Sequence, residues 1–504
     1  MQRREFLRGI AGSALGAVVG GSVASTSATA HPGPYRPFGS VAVEDAKEAV
    51  VGPNGEYAYL AATDGFAVVD VRVHPTPRVV HEQRNLLADR ENGPLPMIQD
   101  VKVEGDRLLV AGPANPIGGD VLRGVLIYDV SDPENPERVG FYETDYPIHN
   151  CDLRDGVAYL SANHGGRNDL VTVDVTSDPT ELGRWSLADR DERWGEIPTG
   201  LWTVHDVWVR GNRAYLAHWD AGVVVLDVSD PANPSFVSRF GGRSLDDLAA
   251  VPREESTAHV LALPGNVHYA MTDDAGDLLA LNREAWAVGS EGGPGGESGP
   301  DGEGSPGSVG GPGGVELWNV GDETNPRRLS TIAPPPTPDP SQSGTWTTSH
   351  NLDLVDGRLF TSWYQGGVKI HDVSDPATPE QMAWWRDPGE TAFWTAKRAT
   401  EQFFVASSIG DYLGGVDGEA GLYTFPIERD EQKDPPPLTT TATNATGTAS
   451  DAGTGPPTTE RAALDAGATT ESSGADATGS ASGFGVATGV AALLGAGAWK
   501  AVRD

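Results

Sequence analysis

Cysteine is all but missing: Cys151 stands alone in 504 residues, so no intramolecular disulfide can form and cysteine usage says nothing of the redox compartment. Lysine is scarce as well. Lys47, Lys102, Lys369, Lys397, Lys433 and Lys500 are the only lysines among 36 basic side chains, and 71 acidic ones leave a net charge of −35. That balance argues against nucleic acid as a partner. A folded chain this acidic and this poor in lysine suits concentrated salt, where screening acts over about 3 Å at 1 M, and a halophilic setting is expected. Also absent are a Gly-x-Ser-x-Gly elbow, a phosphate loop, a dinucleotide fingerprint and a His-Glu-x-x-His pair, and with them the enzyme classes they mark. The Asp-rich turns lack the alternating ligand spacing of a dedicated calcium loop, so they are read as strand terminators.

What the chain does have is a repeat. Its clearest copies run from Gly124 to Pro136, from Gly222 to Pro234 and from Gly367 to Pro379, each a β-branched run ending in Asp-Val-Ser-Asp-Pro. The Asp and Ser side chains can cap a turn, and the prolines stop the strand from continuing. A spacing of roughly 40 to 50 residues with several short strands per copy predicts an all-β, seven-bladed β-propeller. The fourth unit shows four strands over 204–209, 213–217, 222–228 and 234–240. The other units are expected over about 44–82, 97–142, 148–187, 258–332, 349–385 and 393–427. The fifth is stretched by a Gly-, Glu-, Ser- and Pro-rich insertion at about 289–314, expected to be a solvated loop. The seventh lacks a fourth strand, and the unclaimed segment Phe38 to Val43 is the natural donor, since propellers avoid an open edge.

The two ends differ from the middle. Arg3-Arg4 before Phe6-Leu7, a small-residue apolar stretch from Gly9 and a cleavage-like Ala28-Thr29-Ala30 resemble a twin-arginine export signal over residues 1–30. Residues 31–430 are then assigned to the propeller. Residues 431–482 are rich in Thr, Ala, Gly and Ser, too poor in large apolar side chains to fold, and are expected to form a disordered stalk. Asn444-Ala445-Thr446 is a candidate glycosylation sequon within it. Residues 483–504 pair a Gly-Phe motif and a short apolar helix with a basic end. They resemble the sorting signal of archaeal surface proteins handled by an archaeosortase, with Ser482 where that family usually has Pro. An extracellular protein attached to the cell envelope or membrane through this segment is the expectation.

The runs Ala67-Val-Val-Asp-Val71, Leu126-Ile-Tyr-Asp-Val130 and Val224-Val-Leu-Asp-Val228 resemble the LVIVD repeat family, over about residues 41–427. That family implies the fold and association with exported and surface proteins, and little about chemistry. Chemistry enters with the histidines. His149, His205, His259 and His350 each open the first strand of a unit, in four consecutive blades, with Gln99 and Trp394 at the matching places of the second and seventh. First strands line the channel of a propeller, so these imidazoles should converge at one mouth and could share a copper or zinc ion, with Cys151 as an added soft ligand. A repeated histidine that merely bonds a neighbouring turn would recur in the same way, and both accounts stay open. Asp152, Asp206 and Asp353 fit either one. The stretches around Val204-His205-Asp206-Val207 and Tyr215 to Gly222 are similar to the selenium-binding protein and methanethiol oxidase family, whose propellers use histidine-bound copper. Two functions follow as expectations: a surface binding or adhesion module for an unidentified ligand, and an extracellular metal-dependent oxidoreductase.

Overall fold

A computed structural model describes residues 34–163, 166–289 and 308–438. The export-like start, most of the stalk, Asn444, the terminal apolar segment and His164 lie outside the described residues. From Tyr35 onward the described chain belongs to one compact unit. Seven antiparallel sheets follow one another along it, each built by four consecutive strands except where noted below. Their first strands are Ala49–Val51, Asp100–Glu104, Ile148–Arg154, Asp206–Arg210, Val267–Thr272, Leu352–Val355 and Phe393–Arg398. The protein is a seven-bladed β-propeller.

The repeat motif acts as the sequence implies. Asp227 ends the third strand of the fourth blade, and its carboxylate accepts from Ser229 N at 2.9 Å and Ser229 Oγ at 2.6 Å. Asp372 holds Ser374 in the same way in the sixth blade, at 3.0 and 2.6 Å. These bonds favour the ionised form, so both carboxyls lie below the usual range. After the turn, the outer strand carries a bulge at one equivalent place in six blades, with Val80, Val139, Leu182, Val237, Leu329 and Met382 as the unpaired residues. A bulge there increases the local twist of the outer strand. Blade packing is apolar: adjacent sheets share clusters such as Leu109, Ile127, Leu153, Leu160 and Val173 between the second and third blades.

The seventh blade has three strands of its own, and Gly39–Ala42 supplies the fourth, antiparallel to Gly421–Pro426 with Gly39 opposite Thr424. Phe38 N and Val43 N extend the ladder to the carbonyls of Thr424 and Ala420 at 2.7 and 3.0 Å. The other terminus is also tied down. Asp430–Glu431 joins the sixth blade as a fifth strand, parallel to Glu380–Trp385. Tyr35 N donates to Glu431 O at 3.2 Å, and Arg386 Nε donates to Pro436 O at 2.9 Å. The two ends of the propeller are therefore bonded to each other.

Two boundaries differ from the sequence expectation. The fifth blade begins at Val267, not near Ala258, because a short helical excursion through Leu245–Ala249 and Ser256–Leu261 separates it from the fourth. The insertion begins and ends as a paired ribbon, with Ala287–Gly289 antiparallel to Ser308–Gly310.

Deleting residues 31–43 opens the seventh blade, and the unfolding midpoint should fall by about 5 °C or more. Ending the chain at 429 instead of 438 should lower it by a smaller amount. Thermal melts of the three forms check both, and unchanged midpoints would mean that the terminal strands do not close the ring.

Candidate functional site

Strand register places one residue of each blade at the same height at the start of its first strand: Lys47, Gln99, His149, His205, His268, His350 and Trp394. The fourth histidine of the arc is thus His268. His259 sits on the helical excursion instead, part exposed, with its Nδ1 3.0 Å from Arg243 Nη1. The expectation for His259 failed because His-Val-Leu-Ala mimics the start of a strand, whereas the alternating run Val267-His268-Tyr269-Ala270-Met271-Thr272 is the strand itself. Cys151 is not brought to the mouth. The register slips between Ile148 and Cys151, so the usual rule that i and i+2 share a face fails across that bulge. Cys151 packs in the apolar cluster between blades, and burial pushes its thiol well up.

The four imidazoles form an unbroken stack. Ring centroids are 4.2 Å apart for His149 and His205, 4.1 Å for His205 and His268, 4.2 Å for His268 and His350, and 4.1 Å for His350 and Trp394. Three rings are fixed by carbonyls of neighbouring blades: His149 Nδ1 to Ala114 O at 2.9 Å, His205 Nδ1 to His268 O at 3.0 Å and His350 Nδ1 to Trp394 O at 2.7 Å. A carbonyl only accepts, so Nδ1 carries the proton and Nε2 the lone pair in each. The strands that carry the rings are themselves tied: Asn150 Nδ2 donates to His205 O at 3.0 Å, and Asn282 Nδ2 to His350 O at 2.6 Å. Burial holds all four imidazoles below the ordinary histidine range, His350 down to about 3, and other rings of the arc add to the cost of a proton, His149 and His350 on His205, and His205, His350 and His149 on His268. At neutral pH the four rings are uncharged bases.

His268 differs from the others. It is 1 % exposed and its Nδ1 has no hydrogen-bond partner, while its Nε2 lies 3.7 Å from Glu284 Oε2. Glu284 follows the second strand of the fifth blade, is buried, and accepts from the Tyr364 hydroxyl. Burial pushes its carboxyl up to about 7, although the Tyr364 bond acts in the opposite direction. His205, His268 and Glu284 each offer one ligand atom, and these atoms lie within 4.8 Å of one another. Donors around one zinc or copper ion at about 2.0–2.1 Å stand roughly 3.3–4.2 Å apart, so the set is close to coordination geometry. The cavity they face, lined also by Gln99, Asn115, Asn150, Trp346 and Tyr412, leaves about 30 Å³ for the centre of a water-sized group. It has room for an ion and a small group beside it.

Beneath the mouth the next inward layers are charged and locked. Asp100, Asp152 and Asp353 accept from backbone N–H groups of the following blade, namely Cys151 at 2.8 Å, Val209 at 2.6 Å and Arg398 at 2.9 Å. These carboxylates are inter-blade staples and not orienters of the imidazoles. Asp206 bonds Val207 N at 2.7 Å, and its carboxyl, fully desolvated, is pushed well up. Lys102 pairs with Asp100, and the carboxylates of Asp100, Glu48 and Asp206 outweigh the desolvation that would lower its ammonium.

Comparisons add the following. Residues 50–76 and 203–241 match the LVIVD repeat. The chain carries that repeat. No curated protein matches the sequence. Among solved structures, the β-propeller domain of Cps50 (Swd1) from Myceliophteria thermophila is similar at 9 % identity with a TM-score of 0.50, over 77 % of this chain and 99 % of that one. A functionally unknown protein from Desulfotomaculum acetoxidans is similar at 10 % identity with a TM-score of 0.42, over 68 % and 85 % of the two chains. At such identities the likeness concerns the fold alone.

Two outcomes are expected from the buried groups. Asp152→Ala leaves the Val209 N–H without its acceptor and should cost about 2 kcal/mol in a denaturant melt, with Asp152→Asn losing less because its carbonyl still accepts. His218, buried with Nδ1 bonded to Trp202 O, is held by desolvation to about 4. Its contribution is fully present above the unfolded value near 6.5 and is lost as pH falls toward 4, on the order of 3 kcal/mol in all. The stability difference between wild type and His218→Gln should narrow accordingly between pH 7 and pH 4; a constant difference would contradict the assignment.

Proposed function

We propose that this chain is an exported, surface-held propeller module whose channel mouth binds one transition-metal ion of the copper or zinc type. The observation that carries the reading is the convergence of His205, His268 and Glu284 on one buried point, flanked by His149 and His350. Several features support it. The imidazoles are neutral, three have their tautomer set by a backbone carbonyl, and His268 keeps a buried ring nitrogen with no protein partner. Bound here, such an ion supplies a Lewis-acidic centre, redox-active if copper. The chain's own part is to hold the donors rigid and buried, with the Glu284 carboxyl also accepting from the Tyr364 hydroxyl. Attachment to the envelope rests on the sequence of the two ends.

Elemental analysis of natively produced protein should find about one equivalent of copper or zinc. A chelator should then lower the unfolding midpoint of the wild type and leave a His205→Ala, His268→Ala double variant unaffected, since an ion bound only by the native state adds its binding free energy to folding. Metal-free protein that a chelator does not affect, and to which added copper or zinc brings no stabilisation, would leave the arc as packing.

A further inference from the structure

The mouth has two chemically different sides, and only one of them supplies ligands. His205, His268 and Glu284 come from the fourth and fifth blades. Across the same cavity stand the amides of Gln99, Asn115 and Asn150, from the second and third blades. Asn150 is committed to the His205 carbonyl, and Gln99 bonds the Tyr412 side chain. Asn115 is not committed: its Nδ2 is buried and has no hydrogen-bond partner. Its position is fixed all the same, because the carbonyl of the preceding Ala114 is what anchors His149. A buried amide donor without an acceptor is costly in a finished fold and becomes favourable once a ligand brings the acceptor.

We infer that the cavity takes a small exogenous anion, of about one to three heavy atoms, seated on the ion held by His205, His268 and Glu284 and hydrogen-bonded by Asn115 Nδ2. This rests on the metal reading above and adds the ligand class. Size is set by the roughly 30 Å³ open to the centre of a water-sized group, enough for one or two such groups. Sign is set by the chemistry of the walls: amide donors on one side, and on the other a cation with unsatisfied coordination. No covalent bond changes and no electron is transferred in this step: the anion's coordinate bond to the ion would replace that of a water, which leaves the cavity.

Azide is a suitable probe, titrated into the protein loaded with Cu(II) and followed by its ligand-to-metal absorption band and by electron paramagnetic resonance. Wild type should bind one azide per copper. Asn115→Leu, and the isosteric Asn115→Asp, which replaces the donor by a carboxylate, should retain one copper each and bind azide at least tenfold more weakly. Copper retention with no azide band, or with equal azide affinity in wild type and both variants, overturns this inference alone. Failure of wild type to hold either copper or zinc overturns the metal reading beneath it.

Discussion

The hydrogen bond from an imidazole Nδ1 to the backbone carbonyl of an adjoining blade is the interaction on which the mouth depends. It fixes which ring nitrogen keeps its lone pair, and it fixes the ring plane to a main chain that cannot rotate away. The bond crosses from one sheet to another, so its length is set by how closely neighbouring blades approach. That spacing is in turn set by the apolar clusters between sheets and by the carboxylate staples from Asp100, Asp152 and Asp353. Closure of the ring through Gly39–Ala42 then holds every blade in place at once, since an open sheet edge would let the stack relax outward.

The fold was legible because the information was local and repeated. Asp-Val-Ser-Asp-Pro terminates a strand by side-chain to backbone bonds within two residues, and each copy marks one blade. The missing strand of the seventh blade and its donor also follow from counting. The site was legible only in part. His149, His205 and His350 were found because the repeat phases them, but His259 and His268 lie close enough in sequence that the helical excursion between blades shifted the phase onto the wrong one. Cys151 was misjudged for a different reason. Alternation holds only within an unbroken ladder, and the bulge between Ile148 and Cys151 reverses it. Glu284 left a weaker signal. It occupies the place just past a second strand that Trp219 and Tyr364 hold in the fourth and sixth blades, and a single sequence gives no reason to single out that place.

The acidity of the chain does two separate jobs. Toward the outer face, Asp and Glu pair with arginine, as Asp227 and Glu323 do with Arg213, and such solvent-reached pairs contribute little each. Along the axis the carboxyls of Glu48, Asp152, Asp206 and Asp353 are desolvated and all lie above the usual carboxylate range. There they act as hydrogen-bond acceptors in a lattice that also holds Lys102 and Lys397.

The departure from sevenfold symmetry is what makes a centre of this mouth. An ion on the axis would be equidistant from seven identical positions, farther from each than a metal–nitrogen bond allows. Four histidines in consecutive blades, with Lys47, Gln99 and Trp394 at the other three places, would instead draw an ion off the axis, against the fourth and fifth blades. Glu284, reaching in from the end of a second strand, adds the only carboxylate among the described residues that line the cavity and places it on the same side. Repetition builds the ring, and substitution at a few equivalent positions breaks it in one direction, so that the donors face one point and the opposite wall is left to amides.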